Sequence, residues 1–231
     1  MKRPALSRIY KNPDDHHAKR LLDELLGSDI SAPDYQRSML NIGRHLGNEL
    51  KHSLDRDKTY CLVVTAEDAD FLAKGIVESL EDYTKALYLT CFWNERSEVN
   101  GSSVAPIYNT YFENGYDSAD ELIVIKSIIS GSCVVKTNIT ALYDKIQPAA
   151  IHVVAPVMHT QSEQKLKLQF PNKIANLLDF TFLAKDSERT SDNEVLPGIG
   201  GDVYKRLGFK NQQDKNTFIP NIIQQKIFAS C

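Results

Sequence analysis

LIVIKSIISGSC, residues 122–133, opens with four consecutive aliphatic residues, passes through a turn of small residues and enters a stretch where Val135, Ile139, Leu142 and Ile146 recur at helical spacing. An apolar run this short, with no polar alternation, is the pattern of a strand covered on both faces, and a helix straight after it makes half of a βαβ unit. The same alternation extends in both directions. Upstream, YCLVVT (60–65) precedes a helical pattern through Phe71, Leu72, Gly75, Ile76 and Leu80, and ALYLTCFW (86–93) follows; downstream come IHVVA (151–155) and LLDFTFLA (177–184). The sequence therefore predicts an α/β fold with a five-stranded, mainly parallel sheet flanked by helices and right-handed crossovers.

Two helices are expected before the first of these strands. Ala18, Leu21, Leu22, Leu25 and Leu26 share a helical face, with Gly27 placed to end the helix in the left-handed conformation. After Ser31 as a cap, Tyr35, Met39, Ile42, Leu46 and Leu50 form the stripe of an amphipathic helix. APIYNTYF (105–112) alternates in character and is rich in tyrosine, which reads as an exposed flap hairpin rather than a core strand. Nothing mid-chain reads as a linker, so residues 1–231 are taken as one domain. Residues 1–54 supply its N-terminal helices, and 187–231 a hood and tail.

The 231 residues are 42% apolar, enough for a sizeable core, and the formal net charge of −3 gives no bulk attraction to nucleic acid or anionic membranes. Cys61, Cys91, Cys133 and Cys231 form no CxxC pair, and two of them lie inside apolar runs. That usage suits a reducing compartment. No window approaches the roughly 18 apolar residues that would span a bilayer, and the N-terminal MKRPALSRIYKNPDDHH lacks a signal-type apolar stretch. The expectation is a cytoplasmic protein.

In sheets of this kind ligands bind beyond the carboxyl ends of the strands. Ser130, Gly131, Ser132 and Cys133 stand there, and small residues opening a helix let backbone N–H groups converge on a phosphate. A tight strand-to-helix turn needs small residues for its own sake, so spacing alone leaves both readings open.

LIVIKSIISGSC resembles the phosphoribosyl diphosphate loop of type I phosphoribosyltransferases, and EVLPGIGGDVYKRLGF (194–209) resembles the uracil-binding segment of the uracil phosphoribosyltransferases. APDYQRSMLNIGRHLGNEL (32–50), HVVAPV (152–157) and FTFLAKD (180–186) are similar to further segments of that family in the same order, so the likeness spans about residues 20–209. The resemblance implies a phosphoribosyltransferase-type fold and a homodimer. It places a pyrimidine base or nucleotide beside Pro197, Gly198, Ile199, Gly200, Gly201 and Asp202, with phosphate on Ser130–Cys133 and Arg96. Asp186 takes the place of the family's strand-end aspartate, and Asp202 and Arg206 stand as displaced equivalents of a Gly-Asp-Arg sequence.

The departures lie at the donor site. Lys126 stands where the family carries an acidic residue that grips the ribose hydroxyls. Glu67, Asp68 and Asp70 stand where it has a cationic diphosphate loop. Like charges about 4 Å apart repel by roughly 4 kcal/mol at an effective dielectric near 20, so a diphosphate is disfavoured there unless magnesium intervenes or Lys126 turns away to neutralise Asp68 or Asp70, which would leave a neutral pocket. The same carboxylates also suit a first helical turn, where they complement the helix dipole. No catalytic residue is assigned. The sequence supports a uracil phosphoribosyltransferase-like protein that transfers or cleaves a phosphoribosyl group, or a non-catalytic nucleotide-binding regulator on the same fold. His152 and His159 straddle the Ala155-Pro156 strand end as titratable groups or polar loop residues, and Tyr108 and Tyr111 could stack on a base or simply form strand.

Overall fold

A computed structural model describes residues 8–95, 97–99, 102–191 and 193–229. The chain begins with β1 (Arg8–Tyr10), α1 (His16–Leu25) and α2 (Ala32–Leu50). Strand β2 (Thr59–Thr65) runs directly into α3 (Ala66–Asp68), a π turn (Ala69–Ala73) and α4 (Lys74–Leu80). Then come β3 (Ala86–Asn94), the small strands β4 (Ser97–Val99) and β5 (Ser102–Val104), and β6 (Ile107–Phe112). Strands β7 (Glu121–Ile125) and β8 (Ile128–Ile129) lead to α5 (Cys133–Ile146), and β9 (Ile151–His159) to α6 (Ser162–Lys167) and α7 (Asn172–Ala175). After β10 (Leu178–Asp186) the hood comprises β11 (Glu188–Arg189), β12 (Val195–Leu196), α8 (Val203–Leu207), α9 (Gln212–Thr217) and α10 (Asn221–Ala229).

The sheet order is β1-β10-β9-β7-β2-β3-β6, with β8 pairing β9 beyond the end of β7. Its five inner strands are parallel, as the apolar runs predict, and each edge adds an antiparallel strand. Alternation along β2 feeds two cores: Tyr60, Leu62 and Val64 pack with α1, α2 and α4, while Cys61 and Val63 pack with α5 and α6. Tyr35, Met39, Ile42, Leu46 and Leu50 of α2 are all buried, each contributing about 1.5–3 kcal/mol by the area rule. Helix α2 lies against the π turn and α4 with backbones almost touching. A Cβ on Gly43 would sit 2.1 Å from the Leu72 carbonyl oxygen.

Three local expectations are corrected. Gly27 is not the left-handed cap of α1; the helix closes through Leu26, whose N–H reaches the carbonyls of Asp23 and Glu24 with right-handed backbone angles. Residues 105–112 are not the flap: β6 completes the main sheet against β3, and the protruding hairpin is β4–β5 just before it. His152 and His159 are not loop residues but the buried second and last residues of β9.

Candidate functional site

A cleft of about 720 Å³ opens at the carboxyl ends of the parallel strands, within the 300–1,000 Å³ range typical of small-molecule sites. One wall is Lys126, Ile128 and Ser130–Val135; the other is Val195 and Gly201–Tyr204 of the hood; Lys165 and Arg189 close one side and the β4–β5 hairpin another. The turn before α5 and the segment at Gly201–Asp202, far apart in sequence, thus face one space. In α5 the first intrahelical bond runs from the Lys136 N–H to the Ser132 carbonyl at 2.8 Å, so the N–H groups of Cys133, Val134 and Val135 have no partner within the helix. A Cβ on Gly131 would meet nothing within 4 Å, which leaves the turn open on the cleft side. Arg189 donates to the Ser130 carbonyl, and Ser162 Oγ donates to the Ile129 carbonyl at 2.8 Å, so the turn is pinned from behind. Arg96 lies outside the described residues.

The Pro-Gly-Ile-Gly turn is committed to the fold. Its Leu196–Pro197 peptide is cis, and Gly198, Gly200 and Gly201 have positive φ. The carbonyls of Gly198, Ile199 and Gly200 accept from Arg8, the Tyr35 hydroxyl and Arg206 Nε respectively, and the Gly198 N–H donates to Asp186. Ile199 is buried. Of the six residues placed beside the base, Gly201 and Asp202 line the cleft, and the turn behind them sets their position. Asp202 also caps α8, accepting from the Tyr204 N–H at 3.0 Å.

Lys126, Glu67 and Asp68, three of the four positions where the resemblance implies altered charge, form a buried network. Lys126 Nζ reaches Asp68 Oδ2 at 2.6 Å and Glu67 Oε1 at 3.1 Å, and Asp68 Oδ2 also accepts from the Thr65 hydroxyl at 2.8 Å. These side chains are at most 5% exposed. Burial alone would raise the Glu67 carboxyl above its ordinary range, but the ammonium groups of Lys126 and Lys215 reverse that and hold it below. Glu67 Oε2 and Asp68 Oδ1 are buried with no hydrogen-bond partner. Glu67 and Asp68 stand in the first turn of α3, as the helix-dipole reading expects, and are also partners of an interior cation. Asp70 points elsewhere: its two oxygens accept from the N–H groups of Asn221 and Ile222, capping α10. That separation breaks up the carboxylate trio considered for magnesium. Among the described residues no group of three or more His, Cys, Asp or Glu side chains is placed to hold a metal ion.

His152 lies at the far end of β9 from the cleft and bonds Glu121, which also pairs with Lys58. His159 accepts the Gln161 N–H at Nδ1 and so donates from Nε2 to the Ser187 carbonyl; desolvation and the nearby Arg189 charge hold its pKa below the usual value. Tyr108 is exposed on β6, and Tyr111 packs against the core.

Four functional candidates carry no sequence motif. Arg189 and Lys165 supply cations beside the 130–133 turn. Arg8 forms a buried two-point pair with Asp186, 2.8 and 2.9 Å, beneath the Gly198 turn. Lys215, from the wholly polar α9, is fully buried and donates to the Asn94 carbonyl.

The chain matches no protein-family model, and no curated protein matches it. Among solved structures it is similar to the AQ2163 protein from Aquifex aeolicus, with a TM-score of 0.68 and 13% identity over 85% of this chain and 96% of that one. It is also similar to the adenine phosphoribosyl transferase of Trypanosoma brucei, with a TM-score of 0.51 and 13% identity over 96% of this chain and all of the other. No helix is long and apolar enough to cross a membrane among the described residues. The chain has the type I phosphoribosyltransferase fold.

Proposed function

We propose that the cleft binds a pyrimidine nucleoside monophosphate, phosphate toward Ser130–Cys133 and base toward Gly201 and Asp202, and that transfer from a phosphoribosyl diphosphate donor is weak or lost. The observation that carries this reading is the pairing of Lys126 with Asp68 and Glu67. An ammonium can only donate, so it cannot accept from ribose hydroxyls as a carboxylate would, and here its charge is already matched by two buried carboxylates. Pairing removes the carboxylates' repulsion of a diphosphate but leaves Lys126 unavailable to a leaving group. Further along the same wall, the turn before α5 keeps what a monophosphate needs: small residues and open N–H groups, with Lys165 and Arg189 beside them. The adenine phosphoribosyl transferase with the shared fold binds AMP, pyrophosphate and ribose 5-phosphate, which supports a nucleotide as the ligand class. The reading further takes the protein as a cytoplasmic homodimer.

Titration calorimetry with uridine monophosphate, adenosine monophosphate, uracil, and phosphoribosyl diphosphate plus magnesium tests the proposal. Binding of uridine monophosphate, weakened at least tenfold by Gly131→Val, is expected. Tighter binding of the magnesium–diphosphate donor than of either monophosphate would overturn it. Tighter adenosine than uridine monophosphate would overturn the pyrimidine assignment alone. A non-catalytic regulator is the second reading, favoured by the same internal neutralisation of Lys126.

A further inference from the structure

We infer that the C-terminal part of the hood, from Phe209 to Ala229, is a releasable lid over the buried carboxylates, able to lift while the sheet stays folded. Helix α9 reads QQDKNT and contains no apolar residue, so it has no hydrophobic face with which to dock, and the residue it sends inward is Lys215. The Lys215 ammonium donates to the Asn94 carbonyl, sits 5.3 Å from the centre of the Tyr204 ring and acts electrostatically on Glu67. Helix α10 buries Ile222 and Ile223 and is otherwise tied by polar contacts: Asp70 at its N-terminus and Lys226 on Glu113 at 2.6 Å. Between the two helices, Trp93 Nε1 donates to the Phe218 carbonyl at 2.8 Å. The Phe209 and Phe218 rings, 5.1 Å apart edge to face, close the base of the α9 excursion.

An element docked by buried charge differs from one docked by apolar area. Lifting it returns Lys215, Glu67 and Asp68 to water, which recovers the desolvation cost of holding them inside and offsets the lost pairing. Glu67 Oε2 and Asp68 Oδ1 accept from no protein donor, so protein contacts leave both carboxylates only partly satisfied while the hood is docked. The sheet strands bury continuous apolar faces and gain nothing comparable on opening, so the hood belongs to the low end of the local-stability range. The lid borders the cleft, because Lys126 and Tyr204 line the cleft and also contact the buried charges. Opening would join the cleft to Glu67 and Asp68. The inference does not depend on which ligand the cleft takes.

Trp93 is the sole tryptophan and is bonded to the hood, so its emission reports docking. Urea titration of the full chain, followed together by Trp93 emission with acrylamide quenching and by far-ultraviolet circular dichroism, should give a fluorescence midpoint below that of circular dichroism. Asp70→Asn, which weakens the α10 cap, should lower the fluorescence midpoint more than the other. Native-state hydrogen exchange on the unmodified chain gives the same test without a variant: α9 and α10 amides should exchange at least tenfold faster than those of β2, β7 and β9. Coincident titration curves, or hood amides protected as strongly as the strands, would overturn the lid.

Discussion

Replacing Lys126 by methionine keeps the side-chain volume close to the original and removes the charge, leaving Asp68 and Glu67 side by side in a site where Asp68 is fully buried. Breaking a buried pair from one side costs about 3–5 kcal/mol, because the remaining charge is neither paired nor solvated. For a domain of this size, about 2–4 °C of melting temperature goes with each kcal/mol, so Lys126→Met should melt roughly 6–20 °C below the parent chain. The surface pair Arg44–Glu78 is the internal control: its side chains are 49% and 33% exposed, and Arg44→Ala should cost under about 1 kcal/mol. Urea denaturation at neutral pH, followed by circular dichroism, gives both values. Adding Asp68→Asn to Lys126→Met should restore part of the loss, since it removes one uncompensated carboxylate. A loss for Lys126→Met no larger than that for Arg44→Ala would refute the buried network, and with it the argument that Lys126 is withheld from a ligand.

Further outcomes follow from single contacts. Glu67 has a folded pKa below its ordinary value, so the unfolded chain binds more protons over that interval; its contribution to stability is complete above the ordinary carboxylate pKa and disappears as pH falls through the folded value, and Glu67→Gln should flatten the acid limb of urea-derived stability against pH. Gly131→Ala should change the melting temperature little, since its Cβ meets open space, whereas Gly43→Ala drives a Cβ to 2.1 Å from a backbone oxygen and should cost several kcal/mol, both read by thermal melts. Arg8→Ala strands the buried Asp186 carboxylate and frees the Gly198 carbonyl, so it should cost about 3–5 kcal/mol and weaken uridine monophosphate binding in calorimetry.

The parallel sheet was legible because its five central strands are short, largely apolar runs alternating with helical patterns. The edge strands were not. Strand β1 is three residues long, and β6 carries the mixed exposure of an edge, which in sequence looks like a loop or flap. The turn at 130–133 was legible as a small-residue opening to a helix, and its facing partner at Gly201–Asp202 came from the order of motifs. What could not be read was how charges pair. Lys126 and Asp68 are 58 positions apart, and Asp70, two residues from Asp68, turns to a helix terminus 151 positions away. Lys215 sits in a polar run with nothing in its neighbours to mark it as interior. The resemblance implies reversed charge at Lys126, Glu67 and Asp68. Only tertiary contacts show that the reversed charges neutralise one another.

The most direct test is uridine monophosphate formation from uracil and phosphoribosyl diphosphate, measured with and without magnesium on the unmodified chain. With Lys126 held by Asp68 and Glu67, turnover should be absent or far below about 1 per second in both conditions. Turnover in the ordinary enzyme range, about 1–1,000 per second, would contradict the account.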